Sequence, residues 1–318
     1  LKQIHNHVKS PLLAPDLWVK AFMVPLLSTA MLWGAGRVTR VVVQNPEINE
    51  QSAVVTSARY PNVLWVLNDS GDKARLFAIR KDGSNIIPTF LEERYRNNLA
   101  YPGLTITGAD NTDWESLTRI GDTLIIADMG NNGNARRDLG VYFVLEPNPR
   151  ARTSTRPLFW LTVAFPDQKK FPPKDWRFDC EAVFAYHGKL YFLSKERDQG
   201  RIDLPRPTTH LYRLDTRHFH QVNQLKQVDQ REDLGGWITA AEMSPDEKIL
   251  AILAQNPLVA TIWLFPAPRF GDHFLRQNPR LLTIKKAGQA EGLCWLSNRE
   301  ILITNEEGQL IRVLLDSP

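Results

Sequence analysis

The sequence predicts an all-β fold of the β-propeller type, with five blades counted and room for a sixth. Three observations carry the prediction. First, one outline recurs along the chain: a polar or acidic start, a short apolar strand, a tight turn and a second strand. It is clearest at Asp113-Trp-Glu-Ser-Leu-Thr-Arg-Ile-Gly-Asp-Thr-Leu-Ile-Ile-Ala-Asp128. It returns from Asp179-Cys-Glu181, Ala241-Glu-Met-Ser-Pro-Asp246 and Ala290-Glu-Gly-Leu293, with a copy lacking the acid at Ser52-Ala-Val-Val55. Second, the copies start near positions 53, 115, 181, 241 and 290, roughly 50–65 residues apart, a spacing that suits blades with rim loops. Third, the chain opens on an orphan β-branched strand at 37–43 and closes on a unit with only three strands. In a propeller the first strand can complete the last blade, which closes the ring and removes exposed sheet edges.

The elements follow in order. Residues 37–43, Arg-Val-Thr-Arg-Val-Val-Val, form a strand stopped by Asn45-Pro46. The first unit pairs 53–56 with 63–67, turns at Asn68-Asp-Ser-Gly-Asp72 and continues through 75–80 to the turn Lys81-Asp-Gly83. Residues 88–110 show no strand alternation and read as a rim excursion, with helical turns over 92–99. The second unit runs from Asp113, with its third strand at 140–145 and an outer one at 157–163. The third starts at Phe178, carries a long rim loop over 196–209, and then strands at 210–214 and 221–230. The fourth starts at Trp237, with strands at 248–253, 261–265 and 280–284. The fifth starts at Gln289, with strands at 299–305 and 309–315 and no fourth. A β-sandwich would share the alternation but not the recurring outline.

Composition fits a folded, turn-rich chain: 318 residues, 43% hydrophobic, 23% charged, with 18 Gly and 21 Pro. The net charge of +4 is small and the basic residues are scattered, so nucleic-acid binding has little support. Cys180 and Cys294 fall at matching places in two copies and are expected as separate buried thiols. Residues 21–36 carry no charge, follow Lys2, Lys9 and Lys20, and precede Arg37 and Arg40. The segment 1–36 therefore reads as a secretory signal or membrane anchor, with attachment through 17–36, and 37–318 as the propeller domain. That places the domain in the periplasm or outside the cell.

The recurring acids are the candidate site. Glu115, Glu181, Glu242 and Glu291 each stand at the start of an inner strand and are expected to gather at one mouth of the central channel. Asp113 and Asp179 lie two positions ahead of a glutamate, on the same side of an extended chain. Converging carboxylates repel one another and call for a cation, basic partners or water. Calcium, a hard cation that takes carboxylate oxygens, fits a set drawn from Asp113, Glu115, Asp179, Glu181, Glu242 and Glu291. The competing reading has these carboxylates bonding backbone N–H groups and fixing blade contacts. Asp69, Asp128 and Asn305 end the second strands and are expected at the other end. Arg136 and Arg137, Lys195 and Arg197, and Arg201 follow second strands and form a candidate phosphate fork, against the competing reading of a solvated rim. Trp114 and Trp295 are expected between blades. The chain has no Gly-x-Ser-x-Gly, His-Glu-x-x-His or phosphate-binding glycine loop, and no histidine pairs with a nucleophile.

Trp65-Val-Leu-Asn-Asp-Ser-Gly71, Asp113-Trp-Glu-Ser116, Ala127-Asp-Met-Gly-Asn-Asn132 with Arg137 beyond, and Phe178-Asp-Cys-Glu-Ala182 resemble signatures of exported bacterial β-propeller proteins. These are loosely related to SdiA-regulated-like, NHL-type and phytase-like propellers, and the resemblance covers about residues 50–315. For phytase-like members it implies calcium on acidic loops holding phosphate; here only the acids Asp113, Glu115, Asp179 and Glu181 carry over. The dense Asp-Ala-Asp-Asp-Pro run of true propeller phytases is missing. Two functions are therefore expected to compete. One is an extracytoplasmic propeller that binds a ligand or protein partner and holds a structural calcium. The other is a calcium-dependent phosphoesterase with Glu115 and Glu181 as candidate catalytic residues. A sugar lactone or ester hydrolase on the same metal is a weaker third.

Overall fold

A computed structural model describes residues 35–96, 100–256 and 259–316. Among the described residues, twenty-three strands form five sheets, and each sheet is a blade built outward from an inner strand. The inner strands are Gln51–Thr56, Trp114–Ile120, Trp176–Tyr186, Trp237–Met243 and Ala290–Ser297. Each packs against the inner strands of the blades on either side, and the fifth returns to the first, so the ring is closed. The count is five blades, not six.

Closure works as the orphan strand predicts. Ala35–Val42 pairs antiparallel with Gln309–Leu315, matching Val38 to Val313 and Val42 to Gln309, and becomes the outer strand of the fifth blade. The apolar run at 21–36 lies mostly outside the described residues, so its reading as a signal or anchor stays with the sequence. Among the described residues, no helix is long and apolar enough to cross a membrane.

The core is divided among the blade interfaces. Five clusters of buried apolar side chains fill the five gaps, for example Trp65 and Leu67 against Trp114 and Leu124 between the first and second blades. Trp295 fills the gap between the fourth and fifth blades, as expected of an inter-blade tryptophan. Cys180 and Cys294 are free and buried. They occupy different clusters and are not at equivalent positions: one precedes its blade's inner-strand bulge, the other follows it by three residues.

Two segments differ from the sequence reading. Residues 88–110 do supply a strand, Leu104–Ile106, which is the fourth strand of the first blade. With only three residues set between Gly103 and Gly108, it shows no measurable alternation. The expected rim loop after Glu196 is partly sheet: Arg201–Pro205 folds back on Lys189–Asp198 and lengthens the third blade.

All five inner strands share a β-bulge near their start. The register slips between Gln51 and Ala53, Trp114 and Ser116, Cys180 and Ala182, Ile238 and Ala240, and Ala290 and Gly292. The unpaired residues are Ser52, Glu115, Glu181, Thr239 and Glu291. A bulge bends its strand and re-aims one side chain. The residue after each bulge is small: Ala53, Ser116, Ala182, Ala240 and Gly292. Crowding at the axis explains this. A Cβ on Gly292 would fall 2.2 Å from Thr304 Oγ1 and 3.2 Å from the Ala53 backbone. Ser52, Glu115, Thr239 and Glu291 border an axial space of only about 10 Å³, near the lower limit for a single water. The axis is too narrow here for anything larger than a water, so ligand chemistry belongs to its two mouths.

Candidate functional site

One mouth collects the bulge residues together with the residues that flank them. Antiparallel pairing decides the gathering: the end of a second strand lies beside the start of the first. Asp69, just past Leu64–Asn68, therefore reaches the same mouth as Glu115, not the opposite one as the sequence reading had it. Asp69, Asp113 and Glu115 each offer a carboxylate oxygen, and the three atoms lie within 4.8 Å of one another. Oxygens bound to one calcium at about 2.3–2.6 Å lie no more than about 5 Å apart, so the donor set and its spacing fit that ion.

The loop holding this triad is fixed by its own hydrogen bonds. Asp128 accepts from the Thr112 and Asp113 N–H groups at 3.3 and 3.1 Å and pairs with Arg136 at 2.8 Å. Asn111 Oδ1 accepts from the Trp114 N–H at 3.0 Å, and Asn111 Nδ2 donates to Asp69 O at 2.9 Å. Ser52 Oγ donates to Glu115 Oε2 at 3.1 Å. Gly130 donates its N–H to Asp113 O at 3.2 Å. A Cβ there would lie 2.4 Å from the Asp113 carboxyl carbon and 2.8 Å from Glu115 Cγ, so only glycine leaves both carboxylates in place.

The mouth is electrostatically divided. On the third blade the acids are neutralised: Lys195 pairs with Glu181 and Arg197 with Asp179. Asn131 also donates its backbone N–H to Asp179 Oδ1 at 2.7 Å. Burial pulls the Lys195 ammonium down, but Glu181 and Glu291 outweigh it and hold it above its ordinary value. On the first and second blades, none of Asp69, Asp113 and Glu115 has an ion-pair partner among the described residues. Burial, with the charges of Asp69 and Asp179, pushes Asp113 up to about 6. Burial, then Glu181 and Asp69, raises Glu115 well above the usual carboxylate range. Glu291, at the bulge of the fifth blade, is pushed up to about 7 by burial, against the pull of Lys195.

Beside the neutralised half lies a cleft of about 660 Å³, lined in part by Lys195, Arg197, Trp237, Gln255, Gln289 and Glu291. The Lys195 ammonium and the Arg197 guanidinium each lie 5.7 Å from the Trp237 ring centre. Glu181 Oε2 and Gln255 Oε1 are buried without a hydrogen-bond partner among the described residues.

The structure thus brings Asp113, Glu115, Asp179, Glu181 and Glu291 to one mouth, and Lys195 and Arg197 with them. It does not bring Glu242. That residue lies three positions beyond the bulge, at the far end of its strand, where Oε2 accepts the Trp295 N–H at 2.6 Å. The equivalent of the other three glutamates in the fourth blade is Thr239, whose Oγ1 donates to Ala290 O at 2.8 Å. Arg137 is exposed and stacks on Phe171 at 4.1 Å; its neighbour Arg136 is the one that reaches Asp128. Sequence reasoning missed Trp237 and Gly130, and misplaced Asp69. The signal for the correct alignment was present: a polar residue followed by a small one marks every bulge, and Thr239-Ala240 fits where Glu242-Met243 does not.

No family model matches the chain, and no curated protein matches it. Among solved structures it is similar to the aldose sugar dehydrogenase of Streptomyces coelicolor in its PQQ-bound form, at 8% identity and a TM-score of 0.47, covering 88% of this chain and 99% of that one. It is similar to the major Malassezia sympodialis allergen Mala s 1 at 10% identity and a TM-score of 0.49, covering 87% and 96%. A chain of the mitotic checkpoint complex matches at 9% identity and a TM-score of 0.38, covering 98% and 100%. None of these likenesses carries an argument about function; the five-bladed ring rests on the sheet pairing itself.

Proposed function

We propose that this chain is an extracytoplasmic ligand-binding β-propeller. Its acidic mouth holds a calcium ion on Asp69, Asp113 and Glu115, and its ligand or protein partner enters the adjoining cleft against Trp237, Lys195 and Arg197. The observation that carries the reading is the unneutralised triad: three carboxylates with oxygens within 4.8 Å of one another. Charging such a cluster without a cation is unfavourable, and a hard divalent ion is what its oxygens select. The ligand class is amphipathic, with hydroxyl or oxyanion oxygens on an apolar body, because the cleft wall is about evenly polar and apolar around the Trp237 indole face. The uncharged run at 21–36 behind three lysines supports export or membrane attachment. The resemblance of Asp113-Trp-Glu-Ser116 and Phe178-Asp-Cys-Glu-Ala182 to exported bacterial propellers points the same way. Calcium sites of extracellular modules work at about 10⁻⁴–10⁻³ M, which suits a triad with few ligands.

The test is calorimetric titration of calcium into EDTA-treated protein, with thermal melting alongside. EDTA is expected to lower the melting temperature, calcium to restore it, and Glu115→Gln to remove both effects. Absence of heat and of any melting shift in the wild type would sink the reading.

The Lys195 and Arg197 pair favours one alternative, calcium-dependent phosphoester hydrolysis with Glu115 and Glu181 as the catalytic candidates. Bound calcium would supply the Lewis acid. Both basic side chains are already engaged by Glu181 and Asp179, which is why binding is the primary reading. Release of p-nitrophenol from its phosphate ester with calcium, abolished by EDTA, would establish the alternative; no turnover removes it. A lactone or ester hydrolase needs an apolar pocket over the ion, and the adjoining cleft is only about half apolar. The apolar cavity lined by Ile249, Leu264, Leu282 and Leu315 lies between the fourth and fifth blades, away from the triad.

A further inference from the structure

The second mouth of the channel has a charge pattern of its own. It is built from the hairpin ends of the second, third and fourth inner strands, around Arg119, Tyr186 and Met243. They enclose a cleft of about 220 Å³. Arg119 and Glu242 both line it, yet they form no ion pair with each other. Arg119 makes no ion pair with any described residue. Its Nη1 donates to Gly121 O at 3.3 Å, and its Nε is buried with no hydrogen-bond partner. The Nε is enclosed by the protein, so a ligand in the cleft meets the Nη1–Nη2 edge of a guanidinium that no described carboxylate pairs with. Glu242 spends one oxygen on the Trp295 N–H at 2.6 Å. Tyr186 lines the same cleft, and burial, then Glu247, keeps its phenol protonated and able to donate.

We infer that this second mouth is a binding site for a small carboxylate, taken by the Arg119 guanidinium as a planar fork. A carboxylate supplies two in-plane acceptors, the geometry that guanidinium binds best. The cleft has room for a dicarboxylate the size of succinate. Glu242 sets the conditions. Burial pushes its carboxyl up to about 7, while the Trp295 N–H and Arg119 pull it down. The groups around it are Arg119 from the second blade, Tyr186 and the His187–Glu247 pair at 3.2 Å, and the buried Cys294 thiol, itself pushed up by burial. A neutral Glu242 donates to the ligand or leaves it undisturbed; an ionised Glu242 repels it. The site is independent of the calcium reading. Four residues of extended strand, about 13 Å, separate Glu115 from Arg119, and the axis between them is too narrow for anything larger than a water.

The experiment is titration of succinate and of acetate into EDTA-treated protein at pH 6 and pH 8. Saturable binding is expected at pH 6, weakened at pH 8, lost in Arg119→Gln and kept in Glu115→Gln. Glu242→Gln is expected to hold the pH 6 affinity at pH 8. Should the glutamine variant at Arg119 fail to fold, Arg119→Lys keeps the charge without the fork and should weaken binding about tenfold. No saturable binding to the wild type, unchanged affinity in the Arg119 variants, or equal loss in Glu115→Gln would each overturn the inference.

Discussion

Replacing Asp113 by Asn separates a cation site from a merely structural cluster. The asparagine keeps the size of the side chain and leaves the Gly130 N–H to Asp113 O bond intact, because that bond is made by the backbone. It removes the charge. In the folded, metal-free chain Asp113 is raised from 3.8 to about 6, so ionising it costs the fold about 3 kcal/mol more than the unfolded chain. Solvent at the mouth screens part of this, leaving about 1.5 kcal/mol. The sign follows from linkage. A carboxyl raised on folding contributes its full stability below the unfolded value and loses it as pH climbs through the folded one. With Asp113 near 6 and Glu291 near 7, metal-free wild type should lose stability between about pH 4 and pH 7. In EDTA at pH 8, Asp113→Asn is then expected to melt about 2–3 °C above wild type. With calcium in excess the order should reverse, since only the wild type gains. Differential scanning calorimetry at pH 5 and pH 8, with and without calcium, reads both effects. A variant that melts below wild type in EDTA, or responds to calcium as wild type does, would refute the reasoning.

Three further outcomes are expected. Gly130→Ala places a methyl 2.4 Å from the Asp113 carboxyl carbon, so calcium affinity should fall about tenfold or more while circular dichroism stays native. Gly292→Val forces bulk against Thr304 and the Ala53 backbone at the axis and should cost about 1–3 kcal/mol in urea unfolding, with no change in calcium affinity per folded molecule. Lys195→Met removes the nearer partner of the buried Glu181 carboxylate, leaving Arg197 Nη2 at 4.0 Å, and should cost about 3 kcal/mol. Adding Glu181→Gln should recover most of that loss; if the double variant is as unstable as the single one, the pair is not what holds this wall.

Much of the architecture was legible along the chain. Strand alternation, turn residues and spacing marked five blades, and the spare strand at the start matched the missing strand at the end. These features are local: a two-residue period and a glycine or asparagine turn act wherever they occur. The outer strand Leu104–Ile106 escaped because three residues carry too little alternation to stand out.

The site was legible in type but not in membership. Five of the six acids singled out do share one mouth, yet Glu242 lies at the other end of its strand and Asp69 belongs at this one. Counting acids along a repeat does not reveal where a strand slips register, and a single unpaired residue decides which side chain turns to the axis. The sequence by itself determined the blades, the closure and the acidic character of a mouth, because pattern and length are enough for those. Only the tertiary structure decided that Asp69, Asp113 and Glu115 meet while Asp179 and Glu181 are neutralised. Antiparallel pairing and the five bulges bring together residues that the chain keeps apart, and each carboxylate's charge depends on the burial and neighbours it finds there.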